Sequence, residues 1–274
     1  TQYTFSIGAR LLQLTSNAAA TVVSSTTSGS AADTITSGAG ADIIVAGAGT
    51  NTITSGAGAD NITAGAAIDI INAGSGNDTI TVTAGAKDII TPGTGDDSIV
   101  GTAVIAAADM TTIIDFEDAG TTVGDVLTVG TANTTLAGTT LSDTTFVSVA
   151  ITQATAAEAY DLKASIDSSA IHVVELTGGN ETTANLANDM ADGNGDELMK
   201  LLGTAGNTAT LIDLDGNHNV LLIAYDDGDA FVYVLKPGNA NGETVAAEAL
   251  PLFHFDQTTA MTNGALDKTD FLLG

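Results

Sequence analysis

Eight side chains that can do chemistry recur at an almost constant step: Asp33, Asp42, Asn51, Asp60, Asp69, Asp78, Asp88 and Asp97. Two residues after each stands an isoleucine, from Ile35 to Ile99, every ninth residue except for one ten-residue step before Ile90. Glycine pairs precede most of these positions: Gly38 and Gly40, Gly47 and Gly49, Gly56 and Gly58, Gly74 and Gly76, Gly93 and Gly95. Such pairs suit a tight turn whose residues need φ > 0 and whose carbonyls face a ligand. Carboxylates combined with backbone carbonyls form an oxygen-only ligand set of flexible geometry, which selects Ca²⁺ over transition metals.

The elements that must position these groups follow from the period. A nine-residue unit accommodates a short strand and a six-residue turn, so that two units make one coil of a flattened parallel roll. The isoleucines then point inward and stack coil upon coil, burying a core that no unit could bury alone. Turns alternate between flanks, which makes residues 18 apart neighbours. Asp42, Asp60, Asp78 and Asp97 form one column; Asp33, Asn51, Asp69 and Asp88 form the other. At the ten-residue step, counting by nine would put Lys87 in the aspartate slot, whereas matching "DIITPGTGDDSI" to "DIINAGSGNDTI" selects Asp88 and places a distorted turn near Lys87. The second alignment matches the longer stretch. Adjacent parallel strands lie about 4.8 Å apart, and two carboxylates at that distance repel by roughly 3.5 kcal/mol at an effective dielectric of 20. A cation between them converts repulsion into coordination. Asn51 supplies an oxygen without charge, so its column is expected to hold cations less tightly.

Composition narrows the partners. The chain has 274 residues, of which 44% are hydrophobic, and carries 33 acidic against 6 basic residues for a formal charge of −27. That balance repels nucleic acid and anionic lipid and attracts cations. Without cysteine there is neither a disulfide framework nor a thiolate metal site. No apolar run approaches the roughly 18 residues needed for a membrane span. The opening "TQYTFSIGAR" is expected to belong to a processed or excised product.

Residues 29–101, with "GAGADIIVA", "GAGADNITA" and "GSGNDTITV" as the clearest copies, resemble the glycine-rich nonapeptide repeats of RTX proteins. The family's usual first glycine is Ser or Ala here, at Ser37, Ala46, Ser55, Ala64 and Ala73. The resemblance implies a β-roll holding several Ca²⁺ ions between turns two units apart, export by a type I secretion system, and folding after exit into calcium-rich surroundings. It also implies an extracellular or cell-surface location on a Gram-negative bacterium.

The expected fold class is all-β: an N-terminal strand region or lead-in over 1–28, the roll over 29–101, a cap over 102–130 and a mainly antiparallel domain over 131–274. The cap is the acidic stretch "TTIIDFEDAGTTVGDVLTVG"; short helices are expected at "TAAEAYDLKASI" and "GDELMKLLG". Strands "ATLIDL", "VLLIAY" and "AFVYVL" are separated by Asp-Gly turns. The ending Asp270, Phe271, Leu272, Leu273 resembles the uncleaved signal of type I-secreted proteins. No HExxH, GxSxG or cysteine occurs, and His172, His218 and His254 stand in unrelated contexts. The acidic stretches "DGNGDE", "DLDGNHN" and Asp226, Asp227, Asp229 lack the complete EF-hand pattern and read as solvated turns. No enzymatic activity is expected. The favoured reading is a self-assembling surface protein, such as the carboxy-terminal part of an RTX-type S-layer protein or an extracellular filament, whose partners are further copies of itself and the type I secretion machinery. The alternatives are the secretion and folding module of a larger hydrolase or toxin, and the terminal region of an adhesin.

Overall fold

The structure is a computed structural model that describes residues 2–5, 13–15, 22–25, 32–82, 87–101, 110–117, 124–129, 146–150, 173–177, 220–226, 229–235, 249–256, 266 and 270–273. It divides into two compact units. The first comprises Thr1–Ala103, Thr111–Val129 and Thr269–Leu272; the second comprises Val104–Met110, Gly130–Lys268 and Leu273–Gly274.

The first unit is a parallel β-solenoid. One sheet contains β1 (Gln2–Phe5), β3 (Val22–Ser25), β5 (Ile43–Val45), β7 (Asn61–Thr63), β9 (Thr79–Val82), β11 (Ser98–Gly101), β13 (Val126–Val129) and β19 (Phe271–Leu273), in that spatial order. Facing strands β2 (Gln13–Thr15), β4 (Thr34–Ala39), β6 (Thr52–Ala57), β8 (Ile70–Ser75), β10 (Ile89–Thr94) and β12 (Thr111–Ile114) are likewise ordered along the roll. Consecutive units thus alternate between sheets, and each strand pairs with the strand two units away.

Register follows the isoleucine ladder. Ile35, Ile53, Ile71, Ile90 and Ile113 align in the second sheet; Ile44, Ile62, Ile80, Ile99 and Leu127 align in the first. Their exposure never exceeds 1%. A one-residue slip would turn this whole apolar row outward, so the pattern fixes the pairing. The former glycine slots are interior too: Ser37 Oγ donates to the Ser55 carbonyl at 2.5 Å and Ser55 Oγ to that of Ala73 at 2.6 Å, while Ala46, Ala64 and Ala73 are buried. A small residue there either packs or links neighbouring coils.

Asp88, rather than Lys87, occupies the ladder: Asp69 N–H donates to its Oδ1 at 2.8 Å, while Lys87 is exposed. The distorted turn was expected near Lys87, and residues 83–86 just before it lie outside the described residues. Parallel pairing runs past both expected boundaries of the roll. β1, β2 and β3 lie in the strand region or lead-in expected over 1–28, and β1 pairs with β3, β3 with β5 and β2 with β4. β12 and β13 continue the same two sheets within the expected cap over 102–130.

The second unit holds β14 (Phe146–Ala150), β15 (Val173–Thr177), β16 (Val220–Asp226), β17 (Asp229–Leu235) and β18 (Ala249–Asp256). The antiparallel expectation describes β16, β17 and β18, whereas β14, β15 and β16 pair parallel. Leu221–Ala224 and Ala230–Val234 are buried without alternation, the pattern of strands covered on both faces. The expected helices and the strand "ATLIDL" lie outside the described residues. Among the described residues no helix is long and apolar enough to cross a membrane.

Candidate metal centre

Each of Asp42, Asp60, Asp78 and Asp97 sits where a glycine turn enters a strand. Its backbone N–H donates to the Oδ1 of the next member of its column: Asp42 to Asp60, Asp60 to Asp78 and Asp78 to Asp97, each at 2.7 Å. On the other flank Asp33 donates to Asn51 at 3.0 Å, Asn51 to Asp69 at 2.7 Å and Asp69 to Asp88 at 2.8 Å. The backbone carbonyls take part as well, since Asn61 N–H donates to the Asp42 carbonyl and Thr79 N–H to that of Asp60, both at 2.8 Å. The structure therefore brings the eight predicted side chains into the two predicted columns. All are buried, none more than 6% exposed.

Their second oxygens differ. Oδ2 of Asp60, Asp78, Asp88 and Asp97 is buried and accepts no hydrogen bond. An ionised oxygen in that position is costly unless something positive faces it. By contrast, Asp69 Oδ2 accepts the Gly65 N–H at 2.9 Å. Burial pushes the carboxyls of Asp78 and Asp88 up to about 7. It also raises Asp69 and Asp97 above the ordinary range, against the lowering effect of their backbone hydrogen bonds.

The glycines supply the rest of the cradle. Gly40, Gly47, Gly49, Gly56, Gly58, Gly74, Gly76, Gly93 and Gly95 have φ between 83° and 134°. They also stack: a Cβ on Gly56 would overlap the Gly38 carbonyl, one on Gly74 that of Gly56, and one on Gly93 that of Gly74. Among the described residues no three carboxylates or imidazoles gather at one point. A bound cation would thus be held by ladder carboxylates together with backbone carbonyls of the glycine turns. The orphaned Oδ2 atoms fit a hard divalent ion, which would supply the missing positive charge between coils. What such an ion contributes is structural: it lets neighbouring carboxylates stay ionised inside a folded roll.

Two aspartates of the roll, Asp125 and Asp115, escaped sequence reasoning, and Asp270 was expected only as part of the terminal signal. Asp125 is fully buried and ends the first column: Oδ1 accepts the Asp97 N–H at 3.0 Å, Oδ2 the Glu117 N–H at 2.9 Å, and burial pushes its carboxyl up to about 7. "GDVL" repeats the Gly-Asp-x-aliphatic signature, but a gap of 28 residues after Asp97 hid it. Asp270 is buried against the same end of the roll, where Leu127 N–H donates to its carbonyl at 2.7 Å. Asp115, with φ 59° and a buried, unpartnered Oδ1, adds negative charge beside Asp97. No periodicity announces it. His254 lies outside any such centre: its Nε2 meets Asp229 Oδ2 at 2.8 Å, and its ring stacks on Phe231 at 4.6 Å. His172 and His218 lie outside the described residues.

A family model described as the RTX calcium-binding nonapeptide repeat, in four copies, matches residues 27–62 and 54–86. No curated protein and no solved structure matched the chain. RTX repeats bind Ca²⁺ and are typical of secreted proteins, and this ladder presents the buried carboxylates, open oxygens and glycine turns that such binding needs. Residues 27–86 accordingly carry RTX calcium-binding nonapeptide repeats, folded here as a parallel β-roll.

Proposed function

We propose that the protein is a structural component of a Gram-negative cell surface or extracellular filament, exported by a type I system, folded by Ca²⁺ outside the cell and assembled with further copies of itself. No catalytic step belongs to this role. The observation that carries it is the outer face of the roll, where Ile70 and Ile89 stand in register on β8 and β10 while 46% and 38% exposed; Ile43 and Ile68 are also exposed. Large apolar side chains on a regular, rigid sheet favour lateral packing of like surfaces. With a formal charge of −27, copies repel until cations neutralise them.

Light scattering and negative-stain microscopy of the full chain, with and without about 10 mM calcium as a saturating excess, test the reading. Sheets or filaments that form with calcium and dissolve on chelation are expected. A calcium-loaded monomer at high concentration would instead favour the folding and secretion module of a larger exoprotein.

A further inference from the structure

We propose that cations run uninterrupted along the flank of Asp42, Asp60, Asp78 and Asp97, and that the opposite flank is built to exclude them between Asn51 and Asp69. The proposal deepens the calcium reading and rests on it.

On the first flank every turn is a complete Gly-x-Gly-x-Asp, ending at residues 42, 60, 78 and 97. Its second glycines, Gly40, Gly58, Gly76 and Gly95, have φ of 102°, 128°, 121° and 134°. Asp60, Asp78 and Asp97 each keep one buried oxygen without a protein donor. These are open, preformed acceptors in a stack of identical turns.

On the second flank the turn before Asp69 reads "AGAAID", with Ala67 in the place of the second glycine. A side chain at that φ is strained, and Ala67 does not adopt it. The turn closes on itself instead. Gly65 N–H reaches Asp69 Oδ2 at 2.9 Å while Asn51 N–H holds Oδ1 at 2.7 Å, so both oxygens already have donors.

One rung earlier, Asn51 Oδ1 accepts the Asp33 N–H at 3.0 Å. That bond fixes the amide orientation, because only the oxygen can accept it. The remaining amide atom, Nδ2, is buried and faces the Asp69 carboxylate closely enough to help lower its pKa, although it meets no acceptor in full hydrogen-bond geometry. Where Asp60 and Asp78 present an open oxygen, Asn51 presents an NH₂ group, the positive end of a dipole. A cation between these rungs would meet that group and find no free carboxylate oxygen on Asp69. Asp88, whose Oδ2 is open, stays competent.

Calcium bound per folded full-length chain, counted by equilibrium dialysis with atomic emission, reads this directly. Asp60→Asn is expected to bind fewer ions than the parent, whereas Asp69→Asn binds as many. Asn51→Asp combined with Ala67→Gly restores the ligand and the turn together, and is expected to bind more calcium than the parent. An equal loss in Asp69→Asn and Asp60→Asn would overturn the proposal. So would a folded double variant that binds no more than the parent. A parent that binds no calcium at all would overturn the calcium reading itself, which separates the two failures.

Discussion

A buried aspartate facing other aspartates has to be protonated, given hydrogen-bond donors or paired with a cation, and the roll uses a donor for one oxygen while leaving several second oxygens open. The pH dependence follows from this division. Burial lifts Asp78, Asp88 and Asp125 from 3.8 to about 7 in the fold. A carboxyl whose folded pKa is raised stabilises the fold fully below its unfolded pKa, and that contribution disappears as pH rises through the folded value. The calcium-free roll should therefore resist urea better at pH 5 than at pH 8. Calcium competes with those protons, so its binding should weaken as pH falls below about 7, with protons released on binding. Urea titrations of chain freed of metal by chelating resin, at both pH values and in about 0.5 M KCl, check the sign. Salt screens surface charges more than buried ones, so a pH effect abolished by salt would point to surface repulsion instead.

At the scale of elements, legibility depended on whether a residue's role was periodic. Aspartate and isoleucine are fixed to the coil by backbone geometry, so their spacing specified strands, columns and register, even around Lys87. Strands were expected over 1–28, but their pairing into the sheets of the roll had no such signature, since β1, β2 and β3 contain "QYTF", "QLT" and "VVSS" without the Asp-x-Ile mark. Parallel pairing of β14, β15 and β16 was equally hidden, because it joins segments far apart in the chain and a strand's own residues do not name a distant partner. Strand faces, however, can be tested. Ile62→Ala, in a position with no exposure, should cost about 2–5 kcal/mol in the calcium-loaded roll. Ile70→Thr, where the side chain is 46% exposed, should leave monomer stability within about 0.5 kcal/mol while reducing calcium-driven assembly. Urea denaturation and light scattering on the same two variants separate core from contact face; a loss of stability in Ile70→Thr as large as in Ile62→Ala would refute the assigned faces.

Over the whole molecule, the roll behaves as a one-dimensional stack in which each coil touches only its neighbours. Its rungs are coupled in a specific way: the N–H of one aspartate is held by the carboxylate of the next, from Asp42 through Asp60, Asp78 and Asp97 to Asp125. Fixing one carboxylate with a cation thus orients the backbone that starts the adjoining coil, and calcium-driven folding should be steep rather than a sum of independent steps. Position along the stack then matters more than residue type. Asp78→Ala cuts the column in its interior and leaves two shorter stacks, while Asp125→Ala removes only its terminal rung. The first should broaden or split the calcium titration followed by circular dichroism. The second should shift the midpoint to higher calcium and keep the transition single. Identical, equally steep titrations for both variants would show that the rungs fold independently of their order.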